Sequence, residues 1–85
     1  MLYLYTTLGC HLCEQAKTVL WPLLGEFGLR LQLVDIADDD SLVTAYGVRI
    51  PVIKLDTVEE DLGWPFDAAA VRNYLDRHRA SINSR

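Results

Sequence analysis

The chain has 85 residues, of which 51% are hydrophobic and 24% charged. This balance is typical of a globular domain rather than a disordered segment, and the length predicts one domain over residues 1–85. The net charge is −4, which argues against the basic surface of a nucleic-acid-binding protein. No apolar run reaches the roughly 20 residues of a membrane span, and the first residues lack the pattern of a secretory signal. We therefore expect a cytoplasmic monomer that binds neither nucleic acid nor membrane.

The first half of the chain predicts a strand, a helix and a second strand. The apolar run over residues 1–5 favours a strand covered on both faces, followed by a turn. From His11 to Phe27, apolar residues recur at helical spacing and form one stripe, which Pro22 should kink or shorten. The members of the stripe are Leu12, Cys13, Ala16, Val19, Leu20, Leu23, Leu24 and Phe27. Alternating apolar residues over residues 29–36 predict the next strand.

The second half predicts a short helix, two strands and a final helix. Acidic residues 38–40 suit the start of a helix that ends at Gly47, because carboxylates accept hydrogen bonds from the free amides of a first turn. Residues 51–55 and 58–62 are predicted as strands, the latter at an exposed edge. The last helix should begin after Asp67 and carry one buried stripe, consisting of Val71, Tyr74, Leu75, His78 and Ile82.

The order of these elements predicts an α/β fold of the form β-α-β-α-β-β-α. The first strand-helix-strand unit implies parallel strands joined by a right-handed crossover. The last two strands are close enough in sequence to form an antiparallel hairpin. We therefore expect a mixed four-stranded sheet with three helices on its faces.

Cys10 and Cys13 are the residues that point most directly to chemistry. They are the only cysteines in the chain, and a C-x-x-C pair between a strand and a helix is typical of thiol redox proteins. Free amides and the helix dipole at that position stabilise an anion, and the thiolate is the nucleophilic form of cysteine. Cys10 should therefore attack a disulfide, and Cys13, on the buried stripe, should resolve the mixed disulfide.

The residues around the pair act in opposite directions. His11, when protonated, would favour a thiolate at Cys10, or else it is a solvent-facing residue without a role. Glu14 would disfavour the thiolate, and Lys17 would partly offset Glu14. The sequence alone does not give the net effect.

At Ile50-Pro51 the chain resembles a known family. The element order, the N-terminal Cys10-x-x-Cys13 motif and the later hydrophobe-proline step resemble the thioredoxin fold, and the short length resembles its glutaredoxin branch. The ending of the second strand, Val34-Asp35-Ile36, is also shared. This resemblance implies a thioredoxin-like, glutaredoxin-type fold and a thiol-disulfide oxidoreductase with Cys10 and Cys13 as catalytic residues.

The resemblance also implies where substrate binds. Pro51 should follow a cis peptide bond beside the cysteine pair, and the backbone of Ile50 should pair with an extended peptide or with glutathione. His11 and Leu12, which stand where glutaredoxins usually have Pro-Tyr, and Arg49, which stands where they usually have Thr, complete the expected substrate-binding set. The partner is then a disulfide-containing protein or glutathione.

Some glutathione-binding residues of glutaredoxins are replaced in this chain. Thr7 stands in place of a lysine before the first cysteine, and Gly63 to Asp67 read Gly-Trp-Pro-Phe-Asp where a Gly-Gly pair is usual. Arg49 and Lys54 could supply some of the lost charge. We expect no required cofactor and no metal site, with glutathione as a possible co-substrate.

Two other functions fit the same residues. Two chains could share a zinc ion or an iron–sulfur cluster, since one chain supplies only two cysteine ligands and zinc takes four. Alternatively, the chain is a non-catalytic interaction domain that retains the fold.

Overall fold

The computed structural model describes residues 1–82 and has a mixed four-stranded sheet with helices on both faces. The strands are β1 (Leu2–Thr6), β2 (Leu31–Asp35), β3 (Val52–Leu55) and β4 (Asp61–Gly63). The helices are α1 (His11–Phe27), α2 (Asp40–Tyr46), α3 (Ala68–Arg77) and the one-turn α4 (Arg79–Ile82), with a 3₁₀ turn at Ile36–Asp38. No helix among these residues is long and apolar enough to cross a bilayer.

The strand order is β2-β1-β3-β4, with β1 and β2 parallel and the other neighbours antiparallel. This arrangement confirms the predicted thioredoxin-like topology. Leu2 and Leu4 of β1 point to the face that packs against α1 and α3, and Tyr5 points to the opposite face with Tyr46 of α2. The continuous apolar run of β1 is therefore explained by burial on both faces of the sheet.

Helix α1 has the predicted boundaries because both of its ends are capped. Cys10 precedes it in an extended conformation, and Gly28 follows it with a φ of 65°, in the left-handed region that glycine adopts without steric cost. Pro22 lies inside the helix and does not shorten it. The buried residues Leu20, Leu23 and Leu24, on either side of Pro22, hold the helix against the sheet.

Two predicted strands were too long or out of place. Strand β2 starts at Leu31 rather than residue 29, because the Leu29 amide donates to the Leu24 carbonyl (2.9 Å) and closes the end of α1. It ends at Asp35, whose carboxylate accepts from the Ala37 amide (3.0 Å) and starts the 3₁₀ turn. Strand β4 covers Asp61–Gly63 rather than residues 58–62. The Val58 amide is used instead in a turn, with the Leu55 carbonyl as acceptor (3.2 Å).

The C-terminal helix breaks at His78, where one continuous stripe was predicted. The backbone of His78 leaves helical geometry with a φ of −112° and a ψ of 21°. Its imidazole lies 2.7 Å from the carboxylate of Glu60, which also accepts from Arg77 (2.8 Å). These contacts hold the pKa of Glu60 below its ordinary value. His78 is thus a packed residue whose ring also contacts Tyr74 edge-on.

Tyr74 of α3 connects this helix to the end of β3 and to the residue that precedes β4. Its side chain is fully buried, and its hydroxyl donates to the Glu60 carbonyl (2.7 Å) while accepting from the Leu55 amide (3.1 Å). The hydroxyl therefore satisfies the buried amide of Leu55 and the part-buried carbonyl of Glu60, and burial raises the pKa of Tyr74.

We predict that Tyr74→Phe lowers the free energy of unfolding by about 1–3 kcal/mol, because a buried polar group left without a partner costs about that much. Urea denaturation at fixed redox state measures the change. Tyr3→Phe is the control, since Tyr3 is only partly buried. Equal denaturation midpoints for Tyr74→Phe and the wild type would contradict this role of the hydroxyl.

Candidate active site

A disulfide joins Cys10 and Cys13 at the first turn of α1. Their Cα atoms are 5.3 Å apart, and Cys10 is the N-cap residue of the helix. The Cys13 amide donates to the Cys10 sulfur at 3.1 Å. The sequence predicted Cys10 at the helix start and Cys13 on the buried stripe. In the structure Cys10 is half-buried and Cys13 is only 1% exposed.

This geometry gives the two sulfur atoms different chemical characters. The Cys10 sulfur occupies the position where an N-cap oxygen ordinarily accepts a hydrogen bond from the third residue of a helix. The same amide and the helix dipole would stabilise negative charge on this sulfur once the disulfide is reduced. Cys13 lies behind it, away from solvent. The arrangement fits thiol redox chemistry with an outer nucleophile and an inner resolving thiol.

The side chains that follow Cys10 are exposed. His11 and Leu12 both face solvent, and Leu12 is 43% exposed although the helical stripe predicted its burial. Leu12 is absent from both clusters of packed hydrophobic residues that form within residues 1–82. Lys17 donates to Glu14 at 2.8 Å, which confirms that these two charges lie together on the helix.

A cavity of about 490 Å³ opens beside Cys10 on the β2 side. Its walls are the turn between β1 and α1, the first two turns of α1 and the end of β2. The lining residues are Thr6, Thr7, Leu8, Gly9, Cys10, His11, Glu14, Lys17, Leu33 and Asp35. Sequence reasoning named Cys10 and His11 as site residues and discussed Thr7, Glu14 and Lys17 beside them. It did not place Leu33 and Asp35 at the site. The signal for them was the parallel pairing of β1 with β2, which brings the carboxyl ends of both strands to one edge of the sheet.

The segment before β3, residues 47–51, lies at the same end of the sheet; we call it the proline loop. The register pairs Val52 with Tyr5, so Pro51 lies next to the end of β1, from which the turn to Cys10 departs. The Ile50–Pro51 peptide bond is cis, as the resemblance implied, and so is Trp64–Pro65, which was not predicted. Pro51 is buried, and its carbonyl accepts from the Trp64 amide (3.0 Å).

The other predicted residues of this loop are engaged within the chain. The Ile50 amide donates to the Tyr46 carbonyl (3.0 Å). The guanidinium of Arg49 contacts the carboxylate of Asp61 through both terminal nitrogens, at 2.5 and 3.2 Å. The hydrogen bond to Asp61 raises the pKa of Arg49. The structure thus brings Arg49, Ile50 and Pro51 together in one loop, and the charge of Arg49 is already partnered.

Comparison with known proteins identifies the family of this chain. Residues 1–76 match the family described as Glutaredoxin-like domain (DUF836). The chain belongs to this glutaredoxin-like family. The crystal structure of protein XcR50 from X. campestris is 38% identical, with 91% of this chain and 97% of that chain covered and a TM-score of 0.76.

Two less similar solved structures share the same fold. The solution structure of protein Ne2328 from Nitrosomonas europaea is 26% identical, covering 86% of this chain and 87% of that one, with a TM-score of 0.75. A malarial protein is 19% identical, covers 91% of this chain and 93% of its own, and has a TM-score of 0.66, which supports the fold alone. No protein with curated annotation matches the chain.

Within residues 1–82, no three histidine, cysteine, aspartate or glutamate side chains are grouped so that they could hold a metal ion. The cysteine pair of one chain would supply two ligands, so a zinc ion or cluster shared between two chains stays a prediction that this structure does not test.

We predict that limited alkylation of the reduced protein modifies Cys10 at least about tenfold faster than Cys13, because Cys10 is partly exposed at the helix start and Cys13 is buried. Mass spectrometry of proteolytic fragments gives the two rates. The unfolded protein in guanidinium chloride is the control, in which the two rates should converge. Equal rates in the folded protein would contradict the assigned difference between the thiols.

Proposed function

We propose that this protein is a thiol-disulfide oxidoreductase whose reduced Cys10 and Cys13 thiols exchange with a disulfide of a polypeptide and become the Cys10–Cys13 disulfide. The observation that carries the proposal is the Cys10 sulfur at the N-cap of α1, within hydrogen-bond distance of the Cys13 amide. The cavity beside Cys10 supports it, since a substrate sulfur needs open space next to the nucleophile.

One turnover from the reduced form proceeds in two exchange steps. The Cys10 thiolate attacks one sulfur of the substrate disulfide, a mixed disulfide forms, and the second substrate sulfur leaves as a thiolate that takes up a proton. Cys13 then loses its proton and attacks the Cys10 sulfur, which forms the internal disulfide and releases the first substrate sulfur as a thiol. Two electrons pass from the protein dithiol to the substrate, and the reverse sequence oxidises a substrate dithiol.

The charges near the site favour a polypeptide over glutathione as the substrate. Glutathione is a small anion, and an anion binds best where cationic donors are free to meet it. Arg49 is partnered by Asp61 and Lys17 by Glu14. The surface next to the cysteines instead presents Leu8, 92% exposed, and Leu12. These side chains suit apolar contact with an extended chain.

We predict that Cys13→Ser accumulates a mixed disulfide between Cys10 and a substrate polypeptide, because the resolving thiol is gone while the nucleophile remains. The adduct is detected on non-reducing gels after incubation with a protein that contains an accessible disulfide, and it disappears with dithiothreitol.

Cys10→Ser is the matched control, since it keeps the same number of thiols but leaves only the buried one. It should form no adduct and exchange no disulfides. Equal capture by both variants, or full exchange activity in Cys10→Ser, would refute the proposed reaction. If Cys10→Ser lost exchange activity but still fulfilled the role of the protein in cells, the alternative of a non-catalytic interaction domain would be favoured.

A further inference from the structure

Arg49 lies two residues before Pro51 and connects three separate parts of the fold. Its guanidinium is bound by Asp61 of β4 and lies over the ring of Tyr46, the last residue of α2, at 5.8 Å from the ring centroid. Tyr46 in turn stacks on Tyr5 of β1, with ring centroids 4.3 Å apart. A continuous series of side-chain contacts therefore runs from the edge strand β4, through the proline loop and the end of α2, to β1.

The sequence at β4 makes room for this contact. A Cβ atom at Gly63 would come within 3.3 Å of a terminal nitrogen of Arg49, closer than most such contacts. Glycine at this position lets the guanidinium lie flat along β4 and reach both carboxylate oxygens of Asp61. The planar fork of arginine suits this two-point contact, and the point charge of lysine does not.

The exposure of the ion pair indicates what it does. Arg49 and Asp61 are 43% and 22% exposed, and solvent at this exposure limits what the pair adds to folding stability, even in its favourable two-point geometry. The core on this face is supplied instead by buried Tyr5, Ile36 and Val52. Backbone hydrogen bonds hold the two ends of the proline loop, to α2 and to Trp64. The Arg49–Asp61 contact adds a side-chain anchor between these ends and links the loop directly to β4.

We propose that Arg49, held by Asp61, is a positioning residue that sets the proline loop relative to Cys10 so that a polypeptide disulfide can dock against both. The proposal rests on the proposed function, since it assumes that Cys10 exchanges disulfides. Arg49 acts through Ile50 and Pro51 and does not touch the sulfur atoms. A small disulfide that needs only the Cys10 sulfur should therefore not depend on it.

The test compares two disulfides, insulin and bis(2-hydroxyethyl) disulfide, in reaction with the reduced protein freed of reductant. We expect Arg49→Gln to slow exchange with insulin about tenfold at low insulin concentration. The insulin concentration that gives half the limiting rate should rise, and the limiting rate itself should not change. The rate with the small disulfide should change less than about twofold, because the cysteine pair is untouched. Asp61→Asn should behave like Arg49→Gln, and Arg49→Lys should recover part of the loss.

Arg72→Gln is the matched control, because Arg72 is an arginine of similar exposure that is paired with Glu26 away from the proline loop. It should leave both rates unchanged. The positioning role would be overturned if Arg49→Gln slowed both disulfides equally or did not slow insulin exchange. It would also be overturned if Arg72→Gln showed the same loss, or if the wild type reacted with the small disulfide but not with insulin. The proposed function fails separately, if the wild type reacts with neither disulfide or Cys10→Ser reacts as fast as the wild type.

Discussion

The hydrogen bond from the Cys13 amide to the Cys10 sulfur is the interaction on which the functional account depends. It shows that the sulfur, rather than a serine or aspartate oxygen, fills the N-cap position of α1. A helix start offers several amides without partners inside the helix, together with the positive end of its dipole. A sulfur placed there gains most from being negatively charged, which is the property that disulfide exchange needs.

The rest of the fold keeps that sulfur in place. Strand β1 is buried on both faces and leads directly into the turn before Cys10, while the buried side of α1 anchors the helix on the sheet. Antiparallel pairing of β1 with β3 brings the proline loop to the same end of the sheet, and parallel pairing with β2 forms the wall of the cavity. Helix start, proline loop and cavity are thus consequences of one strand order.

The sequence predicted the parts of this arrangement that depend on local patterns. Helix α1, the positions of its two cysteines and the element order follow from hydrophobic spacing and motif position, and the resemblance to glutaredoxins was recognised from them. The ends of a strand and of a helix were misjudged where a backbone group or a side chain is taken by a capping or distant partner. The Leu29 amide caps the end of α1 and the His78 ring contacts Glu60. Neither contact can be inferred from the spacing of apolar residues.

Tertiary contacts account for the site residues that sequence reasoning missed or saw incompletely. Arg49 was named as a substrate-binding residue for its place before Ile50-Pro51, but its partner Asp61 is twelve positions away and meets it only because β3 and β4 pair. Leu33 and Asp35 line the cavity because β2 lies beside β1. Such residues become visible only once the strand order and register are known.

The most direct test of the central claim is the pH dependence of Cys10 alkylation by iodoacetamide in the Cys13→Ser protein, which keeps the backbone amide and leaves a single thiol. The account predicts that Cys10 stays deprotonated and reactive to at least about one pH unit below the value of about 8.5 for free cysteine, and that this advantage disappears in guanidinium chloride. A folded protein whose Cys10 titrates like free cysteine, or at higher pH, would contradict it.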